Sequence, residues 1–442
     1  MTATAFDLSA AEATGLRARA LDDGLVFEAP ERSVYGLGRA LTLPLPQGLA
    51  DAAGTSEAVQ ALGRISDSAD LGRRPGTAGT RPTGAGAGAA TALPRAMAAL
   101  PFDPLAPAEL IVPEVLLALH PDGRATAVVV GDDPAELLEL WLSDSPARTP
   151  VTALPDVFEL RSARPHADYV ERVASAVEEI RAGRLEKVVM AREVVITANR
   201  PFRQADLLER LRALHPSCTG FAVDGFVGAS PELLVRFDGD TVESHPLAGT
   251  AARSGDPAAD RLAAAALLAS EKERGEHSAV VAAIAAGLSD YTTGLEVPVS
   301  PDLVELRNVC HLGSRMSGRV TTPGATALDL LAAIHPTPAV SGSPRDAALE
   351  YLGKLEDLDR GRYAGAVGWV DAAGRGEWWL GIRCGIVAQE SPGRADGNGG
   401  SGGGATMHLF AGAGIVADSD PEGELRETQL KLQAMLAAAV RP

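Results

Sequence analysis

Cysteine is scarce in this chain: Cys218, Cys310 and Cys384 are the only three in 442 residues, an odd number with no CxxC spacing. That excludes a disulfide framework or a thiolate metal cluster as the basis of the fold. Net positive charge is missing as well, since 58 Asp and Glu against 40 Lys and Arg give −18. Nucleic acid and anionic membranes need a basic footprint, so neither is expected as a partner. No apolar run approaches the roughly 18 residues of a membrane span, and the N-terminal residues lack a basic start followed by an apolar core. The expectation is a soluble, cytoplasmic protein that must hold any anionic substrate through local cations or a metal. Lysine is the rarest charge: only Lys187, Lys272, Lys354 and Lys431 interrupt an otherwise arginine-only set of basic side chains. Arginine does not release a proton near neutral pH and a buried lysine can, so the surviving lysines are candidates for chemistry.

What is present is an ordinary globular balance, 46% apolar and 22% charged. The length is compatible with two or three lobes or with one large sandwich. Residues 71–93 are rich in Gly, Ala, Thr and Pro and read as a flexible loop. Residues 395–405, ADGNGGSGGGA, read as a second, linking two paired strands. Apolar positions at helical spacing from Tyr169 to Ile180 predict a helix over 166–183. The β-branched run 186–198 predicts a strand. Hairpins are expected at Asp238-Gly239 and around Gly374-Arg375-Gly376. A single long helix is expected over 258–289 and a final one over 421–439, with Asp420 as its N-cap. Hairpins mixed with long helices point to an α+β protein with extensive antiparallel sheet.

Several residues carry candidate chemistry. Lys187 sits in the apolar run EKVVM, where lost solvation would lower the pKa of its amine and suit it to act as a general base toward water. Glu232 follows a Gly-Ala-Ser-Pro turn and precedes an apolar strand, a setting that would raise the pKa of a general acid. Glu273 and Glu276 share a helix face inside an Ala/Leu/Val run, and Glu424, Glu427 and Lys431 share a face of the last helix. Such carboxylates are either a solvated, ion-paired surface or ligands for a hard cation such as Mg²⁺. Gly412 and Gly414 at a strand end would let backbone amides approach an anion.

The strings LPFDP (100–104), EKVVMAREV (186–194), GASPELL (228–234), HPLAGTAAR (245–253), SEKERGEH (270–277), HPTPAVSG (335–342), GEWWLGIRC (376–384), LFAGAGIV (409–416) and GELRETQLK (423–431) resemble the chorismate-utilising enzymes. Within that family they are most similar to the isochorismate synthases of siderophore pathways. The resemblance runs in order from about residue 100 to the C-terminus and is looser before it. It implies one family domain over 1–442 with its catalytic core in 160–442. The implied fold is two large, mainly antiparallel sheets packed face to face, with helices outside. It also implies Mg²⁺-dependent conversion of chorismate to isochorismate, with Lys187 activating water and Glu232 protonating the departing hydroxyl. Glu276 and Glu427 match the family's Mg²⁺ ligands, and Glu273 and Glu424 their water-mediated partners. Gly249, Thr250, His311, Ala339, Arg383, Gly412, Gly414 and Lys431 match substrate-binding positions.

Lysine at 187 separates the chain from the amine-adding anthranilate synthases, which have glutamine there. Ala248 separates it from aminodeoxychorismate synthases, which use a lysine. Ala339 and Val340 look like the isochorismate synthase pattern, whereas Tyr363 resembles the salicylate-forming lyases. Salicylate synthase is therefore the alternative activity, and a non-catalytic chorismate-binding protein the alternative class. The resemblance implies no glutamine amidotransferase subunit and a monomer. The product would feed siderophore, salicylate or menaquinone synthesis.

Overall fold

The structure is a computed structural model that describes residues 1–30, 32–66, 70–71, 93–120, 122–143, 154–388 and 405–440. The fold is α+β, as expected. Among the described residues a 13-stranded sheet and a 9-stranded sheet carry most of the chain, and a 3-stranded sheet lies beside them. Pairing is antiparallel apart from Thr2–Leu8 with Asp70–Leu71. The centre of the large sheet near the site is the long pair Lys187–Ala198 and Thr406–Ile415, in a register that sets Val189 opposite Gly414 and Ala191 opposite Gly412. One apolar core joins the facing sides of the two large sheets: Val188, Met190 and Phe221 from one meet Leu233, Val235 and Trp369 from the other. A second core lies on the outer face of the large sheet, where Leu16, Leu208 and Met435 from three helices cover Ile196 and Leu409.

The elements expected from pattern are present as His166–Arg181, Lys187–Ala198 and Pro421–Val440. The hairpins at Gly239 and Gly374 are present too, both glycines having positive φ. The run 258–289 differs from expectation. It forms two helices, Pro257–Ala269 and Glu271–Leu288, because Ser270 is extended (φ −69°, ψ 115°) and its hydroxyl caps the amide of Glu273. A serine three residues before a glutamate is a helix-start signal, and here it outweighs an Ala-rich run that could have continued. Glu273 and Glu276 therefore stand in the first two turns of a fresh helix. The proposed loops 71–93 and 395–405 lie almost wholly outside the described residues. The strands flanking the second, Cys384–Val387 and Thr406–Ile415, pair as expected, with Gly385 opposite Leu409. No helix among the described residues is long and apolar enough to cross a membrane.

Candidate active site

Two of the places where the chain crosses between the two large sheets lie side by side. One crossing joins Phe226–Ser230 to Leu233–Phe237 and carries Glu232; the other joins Gly376–Leu380 to Cys384–Val387 and carries Arg383. They are bonded to each other, Leu380 donating to the carbonyl of Glu232 (3.0 Å) and Ala229 to that of Arg383 (3.1 Å). Arg383 pays for this with left-handed backbone, φ 50°, a conformation that costs an L-residue about 1–2 kcal/mol. The result is an acid and a guanidinium held on rigid backbone at the mouth between the sheets.

They line a cavity of about 140 Å³ together with Glu273, Glu276, Glu424, Glu427 and Lys431. Gly249, Thr250, His311, Ala339, Gly412 and Gly414 line it too, so every expected site residue except Lys187 is there, and Ala248, Tyr363 and Phe410 also wall it. Residues from positions 189 to 431 thus converge on one space.

Glu232 is 3% exposed and one of its oxygens has no hydrogen-bond partner. Burial pushes its pKa up to about 8, against an amide contact from Leu247 and the attraction of Arg383, Lys187 and Lys431. It therefore holds its proton at neutral pH, the state an acid catalyst needs.

His311 is fully buried, and desolvation with the Arg383 charge lowers its pKa to about 3, so the ring is neutral. Its Nε2 accepts from Arg383 Nη2 at 3.2 Å, which leaves Nδ1 to donate toward Gly249 O (3.2 Å) and Thr250 Oγ1 (3.1 Å). The strand Leu247–Ala252 bulges between Ala248 and Thr250, where Gly249 takes φ +73°. A bulge with glycine in the left-handed region re-aims the next amide. Here the Thr250 N–H points at Glu273 Oε2, 3.2 Å away.

The carboxylates come from two helices. Glu273 is shifted upward by burial and then by repulsion from Glu276, with Thr250 opposing. Glu424 is shifted upward by burial, with a Ser419 hydrogen bond opposing and Glu427 adding. Glu427 is also buried, but the charge and hydrogen bond of Lys431, with Arg383, outweigh desolvation and hold it below the usual range. Lys431 Nζ lies 2.7 Å from Glu427 and donates to Gly412 O at 2.8 Å.

Lys187 departs from expectation. It is 9% exposed, but its surroundings are not apolar: Nζ pairs with Glu276 Oε1 at 2.5 Å. Glu276 lines the cavity and Lys187 does not; both border a neighbouring space lined by Lys272, Pro338 and Asp418. Gly414 makes this arrangement fit, since a Cβ there would lie 2.8 Å from Lys187 Cε and 3.2 Å from Glu276 Oε1.

Among the described residues no group of three or more His, Cys, Asp or Glu converges closely enough to hold a metal ion. Two of the four glutamates are instead drawn to ammonium groups, Glu276 to Lys187 and Glu427 to Lys431.

Lys272 reaches the same cavity and was given no role from the sequence, although lysine scarcity was the signal for it. Of the four lysines only Lys354 stands apart, paired with Glu350 on an exposed helix. His277, on the same helix as Glu273, is buried, bonded to Ser314 and neutral, with burial lowering its pKa to about 4.

A family model described as chorismate binding enzyme matches residues 108–440. The chain is 40% identical over 358 residues to the putative isochorismate synthase MenF of Mycobacterium tuberculosis (strain ATCC 25618 / H37Rv), covering 78% of this chain and 86% of that protein. It is 36% identical over 348 residues to isochorismate synthase EntC of Escherichia coli (strain K12), covering 78% and 80%. A crystal structure of a putative 2,3-dihydroxybenzoate-specific isochorismate synthase, DhbC from Bacillus anthracis, matches with a TM-score of 0.74 at 30% identity over 97% of this chain and 99% of that one.

Proposed function

Because the chain belongs to the chorismate-binding enzymes, we propose that it is an isomerase converting chorismate to isochorismate. Water adds at ring C2, the double bonds shift, and the C4 hydroxyl leaves. The observation that carries the reading is Glu232, a buried carboxyl group still protonated at neutral pH that lines the cavity with Arg383. A departing hydroxide is a poor leaving group, and a proton delivered by Glu232 lets it leave as water. General acid assistance of this kind contributes roughly 10²–10⁴-fold.

The proton released by the attacking water goes to Lys187. In the free protein that amine is paired with Glu276. Mg²⁺ would be held by Glu276 and Glu427, with Glu273 and Glu424 behind them. The donor chemistry suits such an ion, hard carboxylate oxygens from two helices lining one space with burial and mutual repulsion raising Glu273 and Glu424, although no three of them gather closely enough to hold it as they stand. When bound, the metal supplies positive charge for the substrate carboxylate in an otherwise acidic protein. Arg383 offers a planar fork to a carboxylate, and its contact with neutral His311 fixes the fork's direction. Lys431 adds charge from the final helix.

Lys187 and Ala248 favour water as the nucleophile, so the protein works as a monomer without a glutamine amidotransferase partner. The test is to incubate the purified protein with chorismate, with and without Mg²⁺, and to separate the products by chromatography. Isochorismate, formed only with the metal, is expected. A dominant salicylate peak with stoichiometric pyruvate would reverse the assignment in favour of the lyase, and no turnover would favour a binding protein.

A further inference from the structure

A larger cavity, of about 530 Å³, lies on the other side of Phe410 from the catalytic one. Helix His166–Arg181, strand Lys187–Ala198 and the loop 356–359 enclose it. Tyr169 and Phe410 give it flat apolar walls, and Ile386 and Leu358 extend them. Tyr169 is already satisfied, its hydroxyl donating to Met190 O.

Arg192 also lines this cavity, 9% exposed. Its Nε donates to Thr428 Oγ1 (2.7 Å) and its Nη1 to Ser162 Oγ (3.3 Å), both neutral hydroxyls. No carboxylate of the described residues pairs with it, and burial lowers its pKa with only the Tyr169 phenol opposing. A desolvated guanidinium without an anion is costly and leaves donor capacity unused. The acids around the cavity are mostly committed elsewhere. Glu356 is held by Arg360 and the Ala191 amide, Asp357 by Arg164 and Arg172, and Glu193 by His408. Asp168 and Asp359 remain at the rim, where they would repel a multiply charged anion.

We propose that this cavity is a second small-molecule site, taking a compact aromatic monocarboxylate with its carboxylate on Arg192 and its ring between Tyr169 and Phe410. The charge on the ligand replaces the one Arg192 lacks, and the acidic rim restricts it to a single negative charge. The reading does not depend on the reaction proposed above.

Titration calorimetry with benzoate, on the full chain, tests it, with benzamide as the uncharged control. A saturable site is expected that survives Arg383→Met, which removes the guanidinium of the catalytic cavity, and that does not accept benzamide. Arg192→Met should weaken it about ten- to a hundredfold, the loss of a charge-assisted hydrogen bond. Should Arg192→Met fail to fold, Leu358→Trp decides, since an added indole in the cavity wall must weaken binding. Absence of saturable binding, loss of binding with Arg383→Met, or unchanged affinity in the deciding variant would overturn the proposal.

Discussion

Replacing Glu232 by glutamine should make the protein more stable and less active, and the size of the first effect follows from burial. The carboxyl titrates near 4.5 in an open chain and near 8 in the folded one. Below about pH 4.5 both states carry the proton and nothing changes with pH. Between the two values the unfolded chain releases it while the folded chain keeps it, so stability falls as pH rises, by about 1.4 kcal/mol per pH unit. Over this window the loss reaches roughly 5 kcal/mol by pH 8 and then levels off. Glu232→Gln lacks the titration, keeps an acceptor for the Leu247 amide, and escapes the loss. The assay is chemical denaturation of both proteins from about pH 5 to 9, comparing unfolding free energies at each pH so that other titrations cancel. The variant's advantage should grow steadily toward pH 8. A difference that stays flat, or one that shrinks with rising pH, would refute the claim that Glu232 is buried and protonated. Turnover of the same variant should drop by roughly 10²–10⁴-fold, and wild-type kcat/KM should decline above about pH 8 as the acid loses its proton.

Three further substitutions probe the remaining parts. Lys187→Ala should lower kcat by roughly 10²–10⁴-fold with KM little changed, read by steady-state isochorismate formation, because it removes the base and not a substrate contact. Gly414→Ala places a methyl 2.8 Å from Lys187 Cε, so the lysine must move by about 1 Å. Such a displacement should cost about 10²-fold in kcat, and circular dichroism should show the fold retained with roughly 1–3 kcal/mol less stability. Arg383→Lys keeps the charge but loses the fork and its contact with His311. KM for chorismate should rise roughly ten- to a hundredfold, more than kcat falls.

The parts of the fold legible in the sequence were those set by local pattern. The apolar spacing of helix His166–Arg181, the β-branched strand Lys187–Ala198 and the Gly turns of the hairpins each depend on neighbouring residues, and each is present. The break at Ser270 was also written locally, but an Ala-rich run on both sides masked it. What pattern did not reveal was pairing between distant side chains. Lys187 reads as an amine among valines, yet its partner comes from a helix 89 residues away. The buried state of Glu232 depends on two sheet crossings bonded to each other, an arrangement visible only in three dimensions. Arg192 sits in a strand segment that reads as ordinary, and its lack of an acidic partner appears only when every neighbouring acid is accounted for. Lysine scarcity proved a better guide than expected, since Lys187, Lys272 and Lys431 all gather at or beside the catalytic cavity.

The central claim is that solvent water, activated beside Glu276 and balanced by the proton of Glu232, supplies the new hydroxyl. Running the reaction in water enriched in heavy oxygen and examining the product by mass spectrometry tests it most directly. Isochorismate carrying solvent oxygen at ring C2 is the predicted outcome. Isochorismate whose hydroxyl retains the substrate's own oxygen would contradict it.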